Sequence, residues 1–212
     1  MAVEDDGSDL SSNMISTTPL HIRIGITGHR KIPNVDTTSA LINHALETKV
    51  GEMFSPGTRA TPIAFTIISP LAEGADRLLA CIALTYPNSR LEVPLPLTLD
   101  DYLEDFQTPA SREEFRDLLA LCPHPLYLRS KRIADESQNP DERSALRAAA
   151  YEAVGHYVVD NCDLLFALWD GGASRGRGGT AEIVAYALKQ RRPVIRIWDG
   201  QCTILDQEKS HA

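Results

Sequence analysis

The sequence predicts an α/β fold, a Rossmann-like three-layer αβα domain with a mainly parallel sheet. Three observations carry this. Short apolar runs alternate with stretches of helical periodicity along the chain, the pattern of successive βαβ units. Residues 164–169 are apolar without interruption, as in a strand covered on both faces. The three least ordinary segments, 27–30, 69–76 and 170–182, all fall where a strand hands over to a helix. That is the edge at which such sheets place their ligands.

Taken in order, residues 1–18 are rich in Ser, Asp and Thr and are expected to form a disordered leader. Residues 21–26 form a first strand, ending in the polar loop Thr27-Gly28-His29-Arg30. A helix is expected over 37–50, with Leu41, Ala45 and Leu46 as its stripe, and Ser55-Pro56-Gly57 as a turn. Residues 63–68 make a second strand, 69–74 a loop, and 75–84 a helix facing Leu78, Leu79 and Ile82 inward. Residues 91–97 read as a third strand, which Pro94 and Pro96 demote to an edge or irregular one. Ser111-Arg112-Glu113-Glu114 has capping-box form and opens a helix to 121. A short strand over 125–129 and a polar loop over 130–141 follow. The helix 144–161 shows Leu146, Ala150, Ala153, Val154, Tyr157 and Val158 on one face. The strand 164–169, the loop 170–179, the helix 180–190 and the strand 194–198 close the series, and 201–212 is expected as a C-terminal tail. A single domain over 19–200 accounts for all the elements.

Composition narrows the function. The 212 residues are 43% hydrophobic, too apolar for a disordered chain, and contain no run of 18 apolar residues to cross a membrane. The first residues lack the basic and apolar regions of a signal peptide, so a cytoplasmic location is expected. With 21 Lys and Arg against 29 Asp and Glu, the net charge is −8, which disfavours duplex nucleic acid as partner. Cys81, Cys122, Cys162 and Cys202 form no metal-ligand spacing and are expected as buried thiols. Neither a metal nor a cofactor is expected.

The strongest chemical signal lies between Trp169 and Glu182, where five glycines and two arginines separate a buried strand from a helix. Glycines let backbone N–H groups approach a ligand, and the helix start adds partial positive charge. Asp170, Gly171, Arg175, Arg177, Gly178, Gly179 and Thr180 are therefore candidate ligand-binding residues for an anion. The run from Gly171 to Gly176 is not a P-loop, because Arg177-Gly178 stands where Lys-Ser/Thr is required. The dinucleotide fingerprint, the zinc-hydrolase helix motif and the serine elbow are absent. Glu182 lies in the first helical turn. There it either offsets the helix dipole or faces a sugar, where a carboxylate stabilises positive charge at an N-glycosidic carbon. It is the candidate catalytic residue. Ser69, Glu73, Gly74 and Asp76 of the second loop, and Thr27, Gly28, His29 and Arg30 of the first, complete the candidate site.

Three segments carry a family resemblance: Ile24-Gly25-Ile26-Thr27-Gly28-His29-Arg30, Ser69-Pro70-Leu71-Ala72-Glu73-Gly74-Ala75-Asp76 and Arg177-Gly178-Gly179-Thr180-Ala181-Glu182. Together they resemble the SLOG superfamily, which includes the LOG-type phosphoribohydrolases and bacterial DNA-processing proteins. The last segment is similar to the Gly-Gly-x-Gly-Thr-x-x-Glu signature of the LOG enzymes. The likeness is closest to the nucleotide-sensing SLOG domains of bacterial conflict and signalling systems. It implies a Rossmann-like fold, a nucleotide-derived small molecule as partner, and a dimer or a neighbouring effector domain. The middle loop departs from the Gly-Leu-Met-Gly of the LOG enzymes, and Arg77 lies inside the helix rather than at their catalytic arginine's place. Cys162-Asp163-Leu164, Thr180-Ala181-Glu182 and Arg192-Pro193-Val194 are also similar to nucleoside deoxyribosyltransferases. The leading expectation is binding or sensing of a nucleotide-derived ligand. The alternatives are an N-glycoside hydrolase or transferase and, more weakly, single-stranded nucleic-acid binding.

Overall fold

The computed structural model describes residues 18–54, 62–174 and 176–205. Its elements follow the order β1 (Leu20–Gly28), α1 (Val35–His44), a π-helical turn (Ala45–Lys49), α2 (Val50–Phe54), β2 (Ile63–Ile68), α3 (Ala75–Ala83) and β3 (Arg90–Glu92). Next come β4 (Pro94–Leu95), α4 (Leu99–Leu103), α5 (Pro109–Ala120), β5 (Leu126–Tyr127), α6 (Ile133–Glu136) and α7 (Pro140–Asn161). The chain continues through β6 (Leu164–Leu168), α8 (Thr180–Lys189), β7 (Val194–Trp198) and β8 (Gln201–Leu205).

Six strands form one sheet in the order β3-β2-β1-β6-β7-β8, parallel except for the antiparallel pair β7–β8. This is the α/β architecture the alternation of elements predicts. In β6, alternate side chains enter opposite layers: Leu164, Phe166 and Leu168 join the core beneath α1 and α3, and Leu165 and Ala167 join the core beneath α7 and α8. Strand order reverses between β1 and β6, which makes their carboxyl ends the switch point of the sheet. Across the sheet, Arg23 of β1 makes a bidentate ion pair with Glu92 of β3, at 2.6 and 2.8 Å. Its Nε also donates to the Asn161 carbonyl at the end of α7, at 2.6 Å.

Several local expectations are corrected. Residues 201–205, expected within the tail, form β8 through a two-residue turn at Asp199 (φ 48°) and Gly200 (φ 73°), the left-handed pair a tight hairpin requires. The segment 91–97 divides at Val93: β3 pairs with β2, whereas β4 pairs with β5 in a separate two-stranded sheet. The fifth helix starts at Pro109, with the Thr108 hydroxyl accepting from Ser111 N–H, so Ser111 is not the cap. The polar stretch 130–141 contains α6, and α7 begins at Pro140, capped by Asn139. Cys122 and Cys162 are buried as expected, but Cys81 is exposed. No helix among the described residues is long and apolar enough to cross a membrane. The leader up to residue 17, the turn 55–57, Arg175 and the tail 206–212 lie outside the described residues.

Candidate functional site

β1 and β6 end side by side, with Gly28 paired to Leu168. The His29 N–H donates to the Leu168 carbonyl (3.0 Å), and the His29 carbonyl accepts from the Ala75 N–H at the start of α3 (3.1 Å). Gly74, at φ +82°, permits this junction: a Cβ there would stand 2.2 Å from the Arg30 carbonyl oxygen. Two of the three candidate loops are thus fastened together by the backbone.

A cavity of about 340 Å3 opens at this edge. Of the predicted site residues, Thr27, Gly28, Arg30, Asp76, Arg177, Gly178, Gly179 and Thr180 line it. Its remaining wall is apolar and comes largely from α7 through Tyr151, Val154 and Val158, with Ile26 and Ile183 beside them. Sequence reasoning missed this wall. The helical periodicity of α7 placed Val154 and Val158 on its apolar face and left Tyr151 out, and nothing in it separates a core face from a cavity face.

Two further concavities adjoin the first. One, lined by His29, Arg30, Lys31, Asp170 and Trp198, lies beyond the ends of β1, β6 and β7. There the His29 ring stands edge-on to Trp198, 5.0 Å between centroids, and its Nε2 lies 3.1 Å from Asp170 Oδ1. The other holds Arg30, Lys31, Glu73, Gly74, Arg77 and Ser111. Arg30 borders all three. Its guanidinium is half exposed and lies 3.9 Å from Glu73, whose carboxylate takes a hydrogen bond from the Ser111 hydroxyl.

Asp76 is buried at the first turn of α3. Burial pushes its carboxyl up to about 7, although the Ala72 N–H, the Ser69 hydroxyl, Arg30 and Arg77 all act to lower it. Ser69 is fully buried and bonds Leu71 N–H and Asp76, so its role is to hold the loop. The Tyr102 hydroxyl is also buried and finds no partner among the described residues. Burial and the nearby Asp76 raise that phenol well above its usual range.

Three residues of the glycine loop are tied to the surrounding backbone and side chains. The Glu182 carboxylate turns back to accept from the Gly178 N–H at 2.7 Å, the geometry of a capping box displaced by one residue. It therefore secures the loop and does not line the cavity. Arg177 pairs with Glu152 of α7, Nε to Oε2 at 2.7 Å. Gly178 has φ +78°, and a Cβ there would stand 2.7 Å from the Glu152 backbone nitrogen, so this cavity-lining glycine is also required for close packing on α7. Gly171 sits beside Arg196, and Asp170 Oδ1 accepts from the Gly172 N–H at 2.8 Å. At the start of α8 the Gly179 N–H donates to the Gly176 carbonyl (3.1 Å) and the Glu182 N–H to the Gly179 carbonyl (3.0 Å), which leaves the Thr180 and Ala181 N–H groups as the anion-seeking end of the cavity. Among the described residues no three His, Cys, Asp or Glu are grouped to hold a metal ion.

An open αβα sheet with a cavity at its switch point defines a Rossmann-like domain with a carboxyl-edge site. A solved protein of similar fold is DNA processing protein A from Helicobacter pylori, described for its single-stranded DNA binding mode. The TM-score is 0.51 at 16% identity, over 84% of this chain and 69% of that one. The likeness shows the Rossmann-like fold alone, and the signalling and conflict-system expectation finds no support in it. No family model and no curated protein matches the chain. The expected partner is corrected by this comparison: the similar protein binds a single-stranded polymer, and a nucleotide-derived small molecule finds no support.

Proposed function

We propose that the carboxyl edge of the sheet binds single-stranded nucleic acid. One nucleotide unit sits in the 340 Å3 cavity and the strand continues over Arg30 toward His29 and Trp198. The observation that carries this reading is the position of Arg30, which borders three adjoining concavities. A chain of phosphates passing from one concavity to the next meets its guanidinium at the junction. The α8 amides suit a phosphate, and the aromatic faces beside the second concavity suit a stacked base. The similar fold of a protein that binds single-stranded DNA supports the same reading. A net charge of −8 opposes a polyanion at long range, so binding rests on these local contacts and weakens steeply with salt.

The test is fluorescence anisotropy with a labelled oligothymidylate of about 15 nucleotides, at several salt concentrations, against a duplex of equal length. The single strand binds and the duplex competes poorly. Arg30→Gln weakens binding and reduces the slope of log affinity against log salt by about 1. Equal binding of duplex and single strand, or no binding at low salt, overturns the reading.

A further inference from the structure

We infer that the cavity selects guanine among the bases of a bound strand, with the Asp76 carboxylate reading the base edge. This rests on the single-strand reading above and adds to it the identity of the preferred base.

Among the described residues lining the cavity, Asp76 is the one acidic side chain. It stands where the loop after β2 meets α3, beside Pro70 and Ala72, on a different wall from the α8 amides. The same cavity is lined by Val154, Val158 and Ile183, apolar surfaces that suit the face of a planar ring. A phosphate at α8 and a base against α7 bring a base edge toward Asp76.

A carboxylate only accepts hydrogen bonds, and its two oxygens offer about four lone-pair sites. The Ala72 N–H takes one at 3.2 Å, and the Ser69 hydroxyl a second. Acceptor capacity is left over on a group that is 95% buried and borders the cavity. Burial of the same carboxyl raises its pKa, and the Ala72 and Ser69 hydrogen bonds only partly offset this. A ligand that supplies donors satisfies it.

The bases differ in what they supply. Guanine presents N1–H and N2–H2 side by side, a fork that matches both carboxylate oxygens. Adenine and cytosine place one amino donor next to a ring acceptor, which faces a carboxylate lone pair. Thymine places its single N–H between two carbonyls. Only guanine makes the paired contact without opposing an acceptor to the carboxylate.

The experiment measures affinities of the wild-type protein, near pH 8, for oligothymidylates carrying one central G, A or C, and for the unsubstituted strand. The G strand binds about fivefold to a hundredfold more tightly, the discrimination of a good bidentate pair. Asp76→Asn removes that preference. The wild-type pH series needs no variant: between about pH 8 and pH 6 the G preference falls as Asp76 takes up its proton. Of the groups facing Asp76, Arg30 and Arg77 remain cationic as arginines do, and burial raises the Tyr102 phenol, so neither accounts for a change in that window. Four strands bound alike, a preference for A or C, or a G preference unchanged with pH overturns the assignment while single-strand binding stands. Failure of all four strands to bind overturns the reading beneath it.

Discussion

The Glu182 carboxylate and the Gly178 N–H are joined by a 2.7 Å hydrogen bond that folds the glycine loop onto the first turn of α8. This bond gives the carboxylate a structural task. Glu182→Ala is expected to lower stability by about 1 kcal/mol, as loss of a cap does, measured by denaturant unfolding. Glu182→Gln keeps an acceptor and loses less. Either change removes a negative charge beside the anion-seeking amides, so oligonucleotide affinity holds or rises. A large loss of affinity in Glu182→Gln would show that the carboxylate touches the ligand.

Gly178 and Gly74 are expected to be intolerant for backbone reasons. Both have positive φ, and a Cβ at either meets backbone atoms, of Glu152 in one case and Arg30 in the other. Gly178→Ala and Gly74→Ala should each destabilise by more than about 1 kcal/mol, the penalty of strain alone, because the neighbouring backbone must also move. Thermal unfolding reads this directly. A variant with unchanged melting temperature would refute the packing role.

Arg177 is engaged by Glu152 in an ion pair at 2.6 Å. Glu152→Gln weakens this ion pair and releases the guanidinium toward the cavity that Arg177 already borders. Affinity for a single strand should rise a few-fold at low salt, and the salt dependence should steepen by up to about 1 in slope. Unchanged affinity and slope would mean that Arg177 does not meet phosphate.

Stability should fall as pH rises, because of Asp76. Its folded pKa is raised, from 3.8 to about 7, by burial. The native state therefore holds the proton more tightly than the unfolded chain. The stabilisation is fully present below the unfolded pKa and lost as pH rises through about 7. At about 1.4 kcal/mol per decade, the group accounts for roughly 4 kcal/mol between acid and mildly alkaline pH. The charges facing it are Arg30 and Arg77, with the Tyr102 phenol close by. Urea unfolding at a series of pH values checks this, and Asp76→Asn should flatten the curve. A wild-type stability that climbs from pH 5 to pH 8 would contradict the assignment.

The main sheet was legible because its strands are apolar runs between turn residues. β2, β6 and β7 match the expected 63–68, 164–169 and 194–198 closely. The hairpin to β8 was legible too and was missed: Asp199-Gly200 directly after a strand is a strong short-range turn signal. The division at Val93 follows from Pro94, which has no N–H to continue the ladder, but the sequence does not say that β4 finds a new partner 32 residues on. In the site, the strand-to-helix junctions marked the right edge of the sheet. The orientations of Glu182 and Arg177 were not readable. First-turn spacing is the same whether a carboxylate faces a sugar or a backbone N–H, and the partner of Arg177 lies 25 residues away on another helix.

Arg23 has a consequence for how the sheet comes apart. β3 has three residues and three paired positions, too few to resist fraying alone. The Arg23 guanidinium reaches over β2 to Glu92 and also holds the last turn of α7 through the Asn161 carbonyl. An outermost strand is thereby tied to the centre of the sheet and to a helix of the opposite half of the sequence. Amide hydrogens of β3 should exchange with solvent as slowly as those of β2, in one cooperative opening with the end of α7. In Glu92→Gln, β3 should exchange first and by itself.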